Sequence, residues 1–132
     1  MSEENVAIVR RMYEESKTRP EAFFEFLDGD VEWDTKALDL AGATQGRGPE
    51  TVRSFFRSWT GAFEEWGFEA DELMDAGDVV IARIHQWGRG KVSGVTVENS
   101  FWQVWTLRDG KGIRATHYVD KDEALEAAGL SE

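Results

Sequence analysis

The chain has 132 residues, with 15 Lys and Arg side chains against 26 Asp and Glu, and a net charge of −11 at pH 7. This acidity argues against nucleic acids and anionic membranes as partners, because both carry negative charge. The absence of cysteine rules out disulfides, thiolate metal sites and a cysteine nucleophile, and the apolar content of 41% rules out general disorder. The length fits one domain over residues 1–132. Without an apolar leader or a membrane-length apolar run, the chain is predicted to be soluble and cytoplasmic.

Two helices are predicted in the first 30 residues. The first begins near Ser2 and runs for about four turns, with Tyr13 on its apolar face. The second begins at Pro20, includes Leu27 and ends at Gly29.

A short strand with the sequence DVEWDT (residues 30–35) follows, and then a glycine-rich loop over residues 41–49. Its Gly46-Arg47-Gly48 does not match a phosphate-binding fingerprint, because no strand runs directly into it and no third glycine completes it. A third, strongly amphipathic helix is predicted from apolar residues at i, i+3, i+4, i+7 and i+11: Val52, Phe55, Phe56, Trp59 and Phe63.

The remainder of the chain is predicted to be mostly strand. Residues 68–74, 78–87, 92–108 and 113–119 are rich in β-branched and aromatic side chains and are separated by short turns rich in Gly and Asp. Such turns favour an antiparallel meander. Gly94 marks a bend in the third of these strands, and a closing helix over residues 121–128 ends at Gly129. Helices on one face of this sheet give an α+β domain, with the sheet curled around the third helix and a cavity between them.

This order of elements resembles the nuclear transport factor 2-like fold, and specifically its SnoaL-like and ketosteroid isomerase-like members. The stretches that carry the resemblance are ENVAIVRRMYEES, FLDGDVEWD, GRGPETVRSFF, FWQVWTLRDGKG and HYVDKDEALEAAGL. The resemblance implies a single SnoaL-like domain shaped as a cone, in which a curved, mostly antiparallel sheet wraps around helices and a central pocket. It implies much less about function, because this fold carries many different activities.

Two sets of catalytic positions follow from the resemblance. In ketosteroid isomerases, a tyrosine on the first helix and an aspartate after the first strand match Tyr13 and Asp34. The second acidic donor of that family has no counterpart, because Trp102 stands at its position, which argues against steroid isomerisation. In SnoaL-type cyclases, an aspartate near the last helix matches Asp120, with either His117 or His85 as its helper.

Each of these residues also has a purely structural interpretation. Asp34 is either a base desolvated by the neighbouring Trp33 or an ordinary strand-end aspartate. Tyr13 is either a hydrogen-bond donor or a core tyrosine, and Asp120 is also a candidate N-cap. His85 lies on a strand face that suits a polar pocket or a solvated surface. His117 alternates with apolar residues that are predicted to point into the cone.

Four aromatic residues are predicted to line the cavity: Trp33, Trp59, Phe63 and Trp102. If Trp102 faces inward, Phe101 and Trp105 lie on the outer face of the sheet, which predicts a homodimer through that face. Two histidines on different strands make a poor metal site, so neither a metal nor a cofactor is expected.

The most concrete hypothesis is a small-molecule-binding protein that catalyses a cofactor-free acid–base reaction on an apolar ring substrate, such as an isomerisation, a cyclisation or a hydrolysis. In that hypothesis Asp34 moves a proton, and Tyr13 or His117 donates to a developing oxyanion. The alternative is a non-catalytic ligand-binding or dimeric association module of the same fold. The sequence alone leaves open whether the chain is an enzyme.

Overall fold

The computed structural model describes residues 2–38 and 45–130. The helices in these ranges are α1 (Ser2–Ser16), α2 (Ala22–Glu25), α3 (Pro49–Thr60) and α4 (Lys121–Ala127), with a 3₁₀ turn at Lys36–Leu38. The strands are β1 (Leu27–Asp34), β2 (Gln45–Arg47), β3 (Phe63–Ala76), β4 (Val79–Gly90), β5 (Thr96–Arg108) and β6 (Lys111–Tyr118). None of these helices is long and apolar enough to cross a membrane.

The strands form one sheet in the order β2-β1-β6-β5-β4-β3. Strands β3 to β6 make the predicted antiparallel meander, in which each strand pairs with the next along the chain. Strand β1 lies parallel to β6, with Trp33 opposite Ala115, and β2 is antiparallel to β1. The α+β fold inferred from the sequence is therefore confirmed, and β1 brings the residues around Trp33 beside the end of the meander.

The two faces of the sheet carry different helices. Helices α1, α2 and α3 contribute buried side chains to the main core on one face, with Met12 from α1 and Val52 from α3 among them. Helix α4 packs on the opposite face, where Ala124 joins a second cluster with Ile81, Trp102 and Val104. The prediction that all helices lie on one face is wrong for α4, which covers an apolar patch that the outer face of the sheet would otherwise expose.

Two predicted helices are shorter in the structure. Leu27 and Gly29 belong to β1 rather than to the second helix, because Leu27 pairs with Gly112 of β6. Helix α3 ends at Thr60, and Phe63 starts β3, where it pairs with Gly90. In both cases pairing within the sheet overrides a local helical periodicity.

The glycine-rich segment contains a strand that the sequence pattern did not predict. Residues 45–47 form β2, while residues 41–44 of the predicted loop lie outside the described ranges. Gly48 has φ +93° and its N–H donates to the carbonyl oxygen of Val31 at 2.7 Å, which joins this segment to β1. Strand β5 begins at Thr96 rather than at residue 92, and Gly94, with φ +72°, lies in the turn before it. Glycine suits both positive φ angles because it lacks Cβ.

Candidate functional site

A cavity of about 450 Å³ lies between the sheet and helices α1, α2 and α3. Aromatic rings from helices and strands are the commonest lining groups, among them Phe23, Phe24, Trp33, Phe55, Phe56 and Phe68. Several of these rings also contact one another edge to face, for example Phe23 and Phe56 at 5.3 Å between ring centroids. The cavity predicted from the sequence is present, and its lining suits an apolar guest.

One side of the cavity is polar. Tyr13, Gln103 and His117 line it as a connected group, here called the polar wall. The Tyr13 hydroxyl donates to Gln103 Oε1 at 2.7 Å, and the Trp105 indole N–H donates to the same oxygen. Gln103 Nε2 lies 3.0 Å from His117 Nε2, and His117 Nδ1 lies 2.9 Å from the carbonyl oxygen of Asp34.

The hydrogen bonds of the polar wall fix the protonation state of His117. The carbonyl oxygen of Asp34 can only accept, so His117 Nδ1 carries the proton. The indole N–H of Trp105 can only donate, which orients the Gln103 amide so that its NH₂ group faces His117 Nε2. That nitrogen must therefore be an unprotonated acceptor. A proton on His117 Nε2 would place two N–H groups against each other.

Burial favours the neutral form of both titratable groups of the polar wall, His117 and Tyr13. Burial lowers the pKa of His117 to about 4, although the hydrogen bond to the carbonyl oxygen of Asp34 and the charge of Asp34 oppose this shift. Burial also raises the pKa of Tyr13 well above its ordinary value of 10, against the opposing hydrogen bonds with Gln103 and Trp105. The polar wall consequently presents neutral hydrogen-bonding groups at pH 7.

The rim of the cavity carries charged side chains. Lys17, Glu21, Arg53 and Arg57 all line it. Arg53 bonds to Glu21 at 2.7 Å, and its guanidinium group lies 4.1 Å from the centroid of the Phe24 ring. The charges are thus paired and confined to the mouth, while the interior is aromatic and neutral.

Comparison with known proteins gives the family. The model of the SnoaL-like domain matches residues 9–115, which is most of the chain. The chain belongs to the SnoaL-like domain family. No curated protein sequence matches this SnoaL-like chain significantly.

Solved structures share the fold of this SnoaL-like chain. An NTF2-like protein from Burkholderia thailandensis is 27% identical, with a TM-score of 0.73, and the match covers 96% of this chain and 95% of that chain. TerC, co-crystallised with polyporic acid, is 20% identical, with a TM-score of 0.73 and coverage of 96% and 98%. A protein with a ketosteroid isomerase-like fold from Catenulispora acidiphila, in complex with trimethylamine, is 15% identical, with a TM-score of 0.67 and coverage of 93% and 92%. The nuclear transport factor 2-like fold inferred from the sequence is confirmed.

Asp34 does not line the cavity of this SnoaL-like domain. Along β1, Val31 and Trp33 are buried, whereas Glu32 and Asp34 point to the other face. The Asp34 carboxylate accepts a hydrogen bond from its second neighbour along the chain, the N–H of Lys36, at 2.9 Å. The side chain thus closes a turn at the end of the strand, and the role of Asp34 as a base stays a prediction. Its contact with the site is through its backbone carbonyl, which orients His117.

Two further catalytic candidates also lie away from the cavity. His85 is on the outer face of β4, where its Nε2 lies 2.8 Å from a carboxylate oxygen of Glu98. Asp120 is exposed and immediately precedes α4, with extended backbone angles and no side-chain capping hydrogen bond. The described residues contain no group of three or more His, Cys, Asp or Glu side chains that could hold a metal ion. Of the five predicted catalytic side chains, only those of Tyr13 and His117 line the cavity.

The predicted aromatic lining is partly displaced. Trp33 lines the cavity as expected. Trp59 stacks against Phe63 at 4.7 Å and against Phe68 at 5.0 Å, so Trp59 and Phe63 support a lining ring without lining the cavity themselves. Trp102 is on the opposite face of the sheet, packed against α4.

The predicted orientation of β5 is wrong in consequence. Phe101 and Trp105 are buried in the main core, and Phe101 also lines the cavity. They are therefore not exposed on the outer face, where Arg83 instead pairs with Asp71 at 2.7 Å. The aromatic surface from which the homodimer was predicted does not exist in this form, and dimerisation stays a prediction without that support.

Gln103 is the central site residue that the sequence analysis missed. It is buried, receives two hydrogen bonds and donates one within the polar wall. The available signal was a single amide side chain inside the aromatic run FWQVW. A polar residue there is buried on either face, and a buried amide needs partners.

Proposed function

We propose that this SnoaL-like chain binds a small, neutral, apolar ring compound in the cavity. The observation that carries the proposal is an aromatic cavity of about 450 Å³ with one polar wall. This volume lies in the range of small-molecule sites, which combine a mostly apolar lining with a few convergent polar groups. TerC, with a similar fold, was co-crystallised with polyporic acid, which supports a small molecule as the occupant.

The neutrality of the polar wall supports an uncharged ligand. His117 is neutral at pH 7 because its pKa is lowered to about 4, and Tyr13 keeps its proton because its pKa is raised. An ionised ligand group beside them would lose its hydration without gaining an opposite charge, which is costly. The charged residues at the rim lie on the entry path and do not provide such a partner inside.

A cofactor-free acid–base reaction is the second candidate, favoured by the position of Tyr13 and His117 on one wall. Tyr13 would donate to an oxygen that gains negative charge, and His117 would accept a proton at Nε2. Both groups would first have to exchange Gln103 for the substrate, because their hydrogen bonds to it are already made. The hydrogen bonds within the polar wall therefore favour ligand binding, and catalysis would require Tyr13 and His117 to exchange Gln103 for the substrate.

The test is a titration of the protein with steroid-like, aromatic polyketide-like and terpenoid-like ring compounds while tryptophan fluorescence is recorded. Trp33 and Trp66 line the cavity, so saturable quenching is expected with at least one class. The informative variant is Thr60→Phe, which adds a ring at a cavity-lining position and should weaken binding about tenfold or more. Its matched control is Ser58→Phe, on the exposed side of the same helix.

Two outcomes would contradict the proposal. One is the absence of quenching across the whole panel, and the other is equal binding by the Thr60→Phe and Ser58→Phe variants. The same mixtures, analysed for converted compound after incubation, distinguish binding alone from catalysis. Conversion of a compound by the wild type supports the acid–base reaction, whereas binding without conversion supports ligand binding alone.

A further inference from the structure

The indole N–H of Trp33 is a buried donor that finds no acceptor among the residues the structure describes. Trp33 is only 1% exposed, and among the described residues its Nε1 is the one buried side-chain nitrogen or oxygen atom that lacks a hydrogen-bond partner. Leaving a buried donor unsatisfied costs free energy, and such groups are rare in folded proteins. This one belongs to a residue that lines the cavity.

The rings that surround Trp33 among the described residues offer its N–H no acceptor. Its ring lies 4.5 Å from the His117 ring, 5.9 Å from the Phe55 ring and 6.0 Å from the Trp105 ring, measured between centroids. Phenylalanine offers no acceptor and tryptophan has only its own N–H donor. The acceptor nitrogen of His117 is already engaged by Gln103.

The hydrogen bonds around the polar wall leave two N–H groups without a partner among the described residues. The side-chain oxygen of Gln103 accepts from both Tyr13 and Trp105, and His117 Nε2 accepts from Gln103. The Gln103 amide has two N–H bonds, and the contact with His117 uses one of them. Gln103 and Trp33, two residues that line the cavity, each keep a buried N–H without a partner among the described residues.

We propose that Trp33 is a recognition residue, whose indole N–H donates to an acceptor oxygen of the ligand. This inference rests on the proposed function and narrows it to ring compounds with a carbonyl oxygen placed against Trp33. A carbonyl fits because it offers an acceptor to the N–H and brings no further donor. A ring hydrocarbon of the same shape would fill the cavity and leave the indole N–H unsatisfied.

The experiment compares a ring ketone with its hydrocarbon analogue, 1-tetralone with tetralin, by measuring both dissociation constants. In the informative variant, Trp33→3-benzothienylalanine, sulfur replaces the N–H while the shape of the ring system is kept. The ratio of the tetralin Kd to the 1-tetralone Kd is expected to fall about tenfold in this variant relative to wild type. The matched control is the same replacement at Trp102, which is on the outer face and should leave the ratio unchanged.

A second measurement follows ligand binding in the wild-type protein, and a variant is needed only to assign the signal. In protein labelled with ¹⁵N on the indole nitrogens, the Trp33 N–H proton should move downfield on addition of 1-tetralone and not on addition of tetralin. The resonance is assigned from its loss in Trp33→Phe. An N–H signal unaffected by the ketone would overturn the proposal, as expected if a buried water rather than a ligand were the acceptor.

The outcomes separate this inference from the proposed function. If both probes bind and their Kd ratio is the same in wild type and in the Trp33 variant, the role of Trp33 is wrong while ring-compound binding stands. If neither probe binds to the wild type, both proposals fail for this compound class. A ratio that falls at Trp33 and not at Trp102 supports both.

Discussion

His117 should make the stability of the fold depend on pH. Its pKa is lowered to about 4 in the folded protein from an ordinary value of 6.5, which applies to the unfolded chain. Between these two values the unfolded state binds a proton that the folded state does not. Stability from this group is therefore complete above pH 6.5 and is lost as the pH falls through this interval, because proton binding then favours the unfolded state.

The magnitude follows from the size of the interval and the position of the ring. At about 1.4 kcal/mol per pKa unit, the full effect amounts to about 3 kcal/mol. His117 is 1% exposed, so solvent does not screen the effect as it does for surface groups. Between about pH 7.5 and about pH 4.5, a loss of roughly 2 kcal/mol or more is expected from this residue alone. This is a large share of the stability of a typical small domain.

The assay is urea unfolding of the wild type and of His117→Gln at both pH values. Glutamine keeps an acceptor for Gln103 and does not titrate. The carboxylates titrate in both proteins, so the difference between the two pH dependences isolates His117. Wild type should lose roughly 2 kcal/mol more than the variant as the pH falls. The same pH dependence of unfolding in wild type and variant would refute the reasoning, as would an NMR titration that gives His117 a pKa near its ordinary value of 6.5.

Two further predictions concern packing on either face of the sheet. A Cβ at Gly112 would lie 2.7 Å from the Trp105 ring, so Gly112→Ala should lower the free energy of unfolding by about 1–3 kcal/mol in thermal or urea unfolding. The control is Gly29→Ala, where a Cβ would meet no atom within 4 Å and the loss should be much smaller. Equal losses in the two variants would contradict the close approach of Gly112 to Trp105. Trp102→Ala should cost about 3 kcal/mol and expose the α4 amides to hydrogen exchange, because this ring packs against α4 and under Lys121 at 5.4 Å. Unchanged protection of α4 would show that Trp102 does not hold the helix.

The sequence pattern predicted the elements better than it predicted their faces. The periodicity of α1 and α3 and the turns rich in Gly and Asp identified the helices and the meander. The role given to Asp34 came from the family resemblance. Strict alternation along β1 already argued against it, because Trp33 and Asp34 are neighbours and a strand sends neighbours to opposite faces. With Trp33 buried in the cavity lining, Asp34 has to point away.

The packing of β1 and β3 was not visible in local sequence. Leu27 and Phe63 continue the helical spacing of the residues before them, so periodicity placed both in helices. Each is instead the first residue of a strand and pairs with a glycine, Gly112 and Gly90 respectively. These partners are far away along the chain, and only the assembled sheet selects the strand conformation.

The register between β5 and β6 depends on a single extra residue, Ile113 of β6, which has no partner on β5. Asp109 and Gly110, with φ of 54° and 78°, form the tight turn between β5 and β6. A regular hairpin across this turn would place Trp102 opposite His117, and both would then face the cavity. The register instead shifts between Thr106 and Leu107, so Gln103 pairs with His117.

This shift exchanges the two faces of β6 beyond the extra residue, while the alternation along β5 stays regular. Residues directly opposite each other on paired strands share a face. Once His117 points inward, the shifted register brings Gln103 into the cavity and sends Trp102 to the outer face beneath α4. The predictions that His117 and Trp102 both point inward were consistent for a regular hairpin. The first prediction holds and the second does not, and the Gln103 amide lies beside the imidazole that burial keeps neutral.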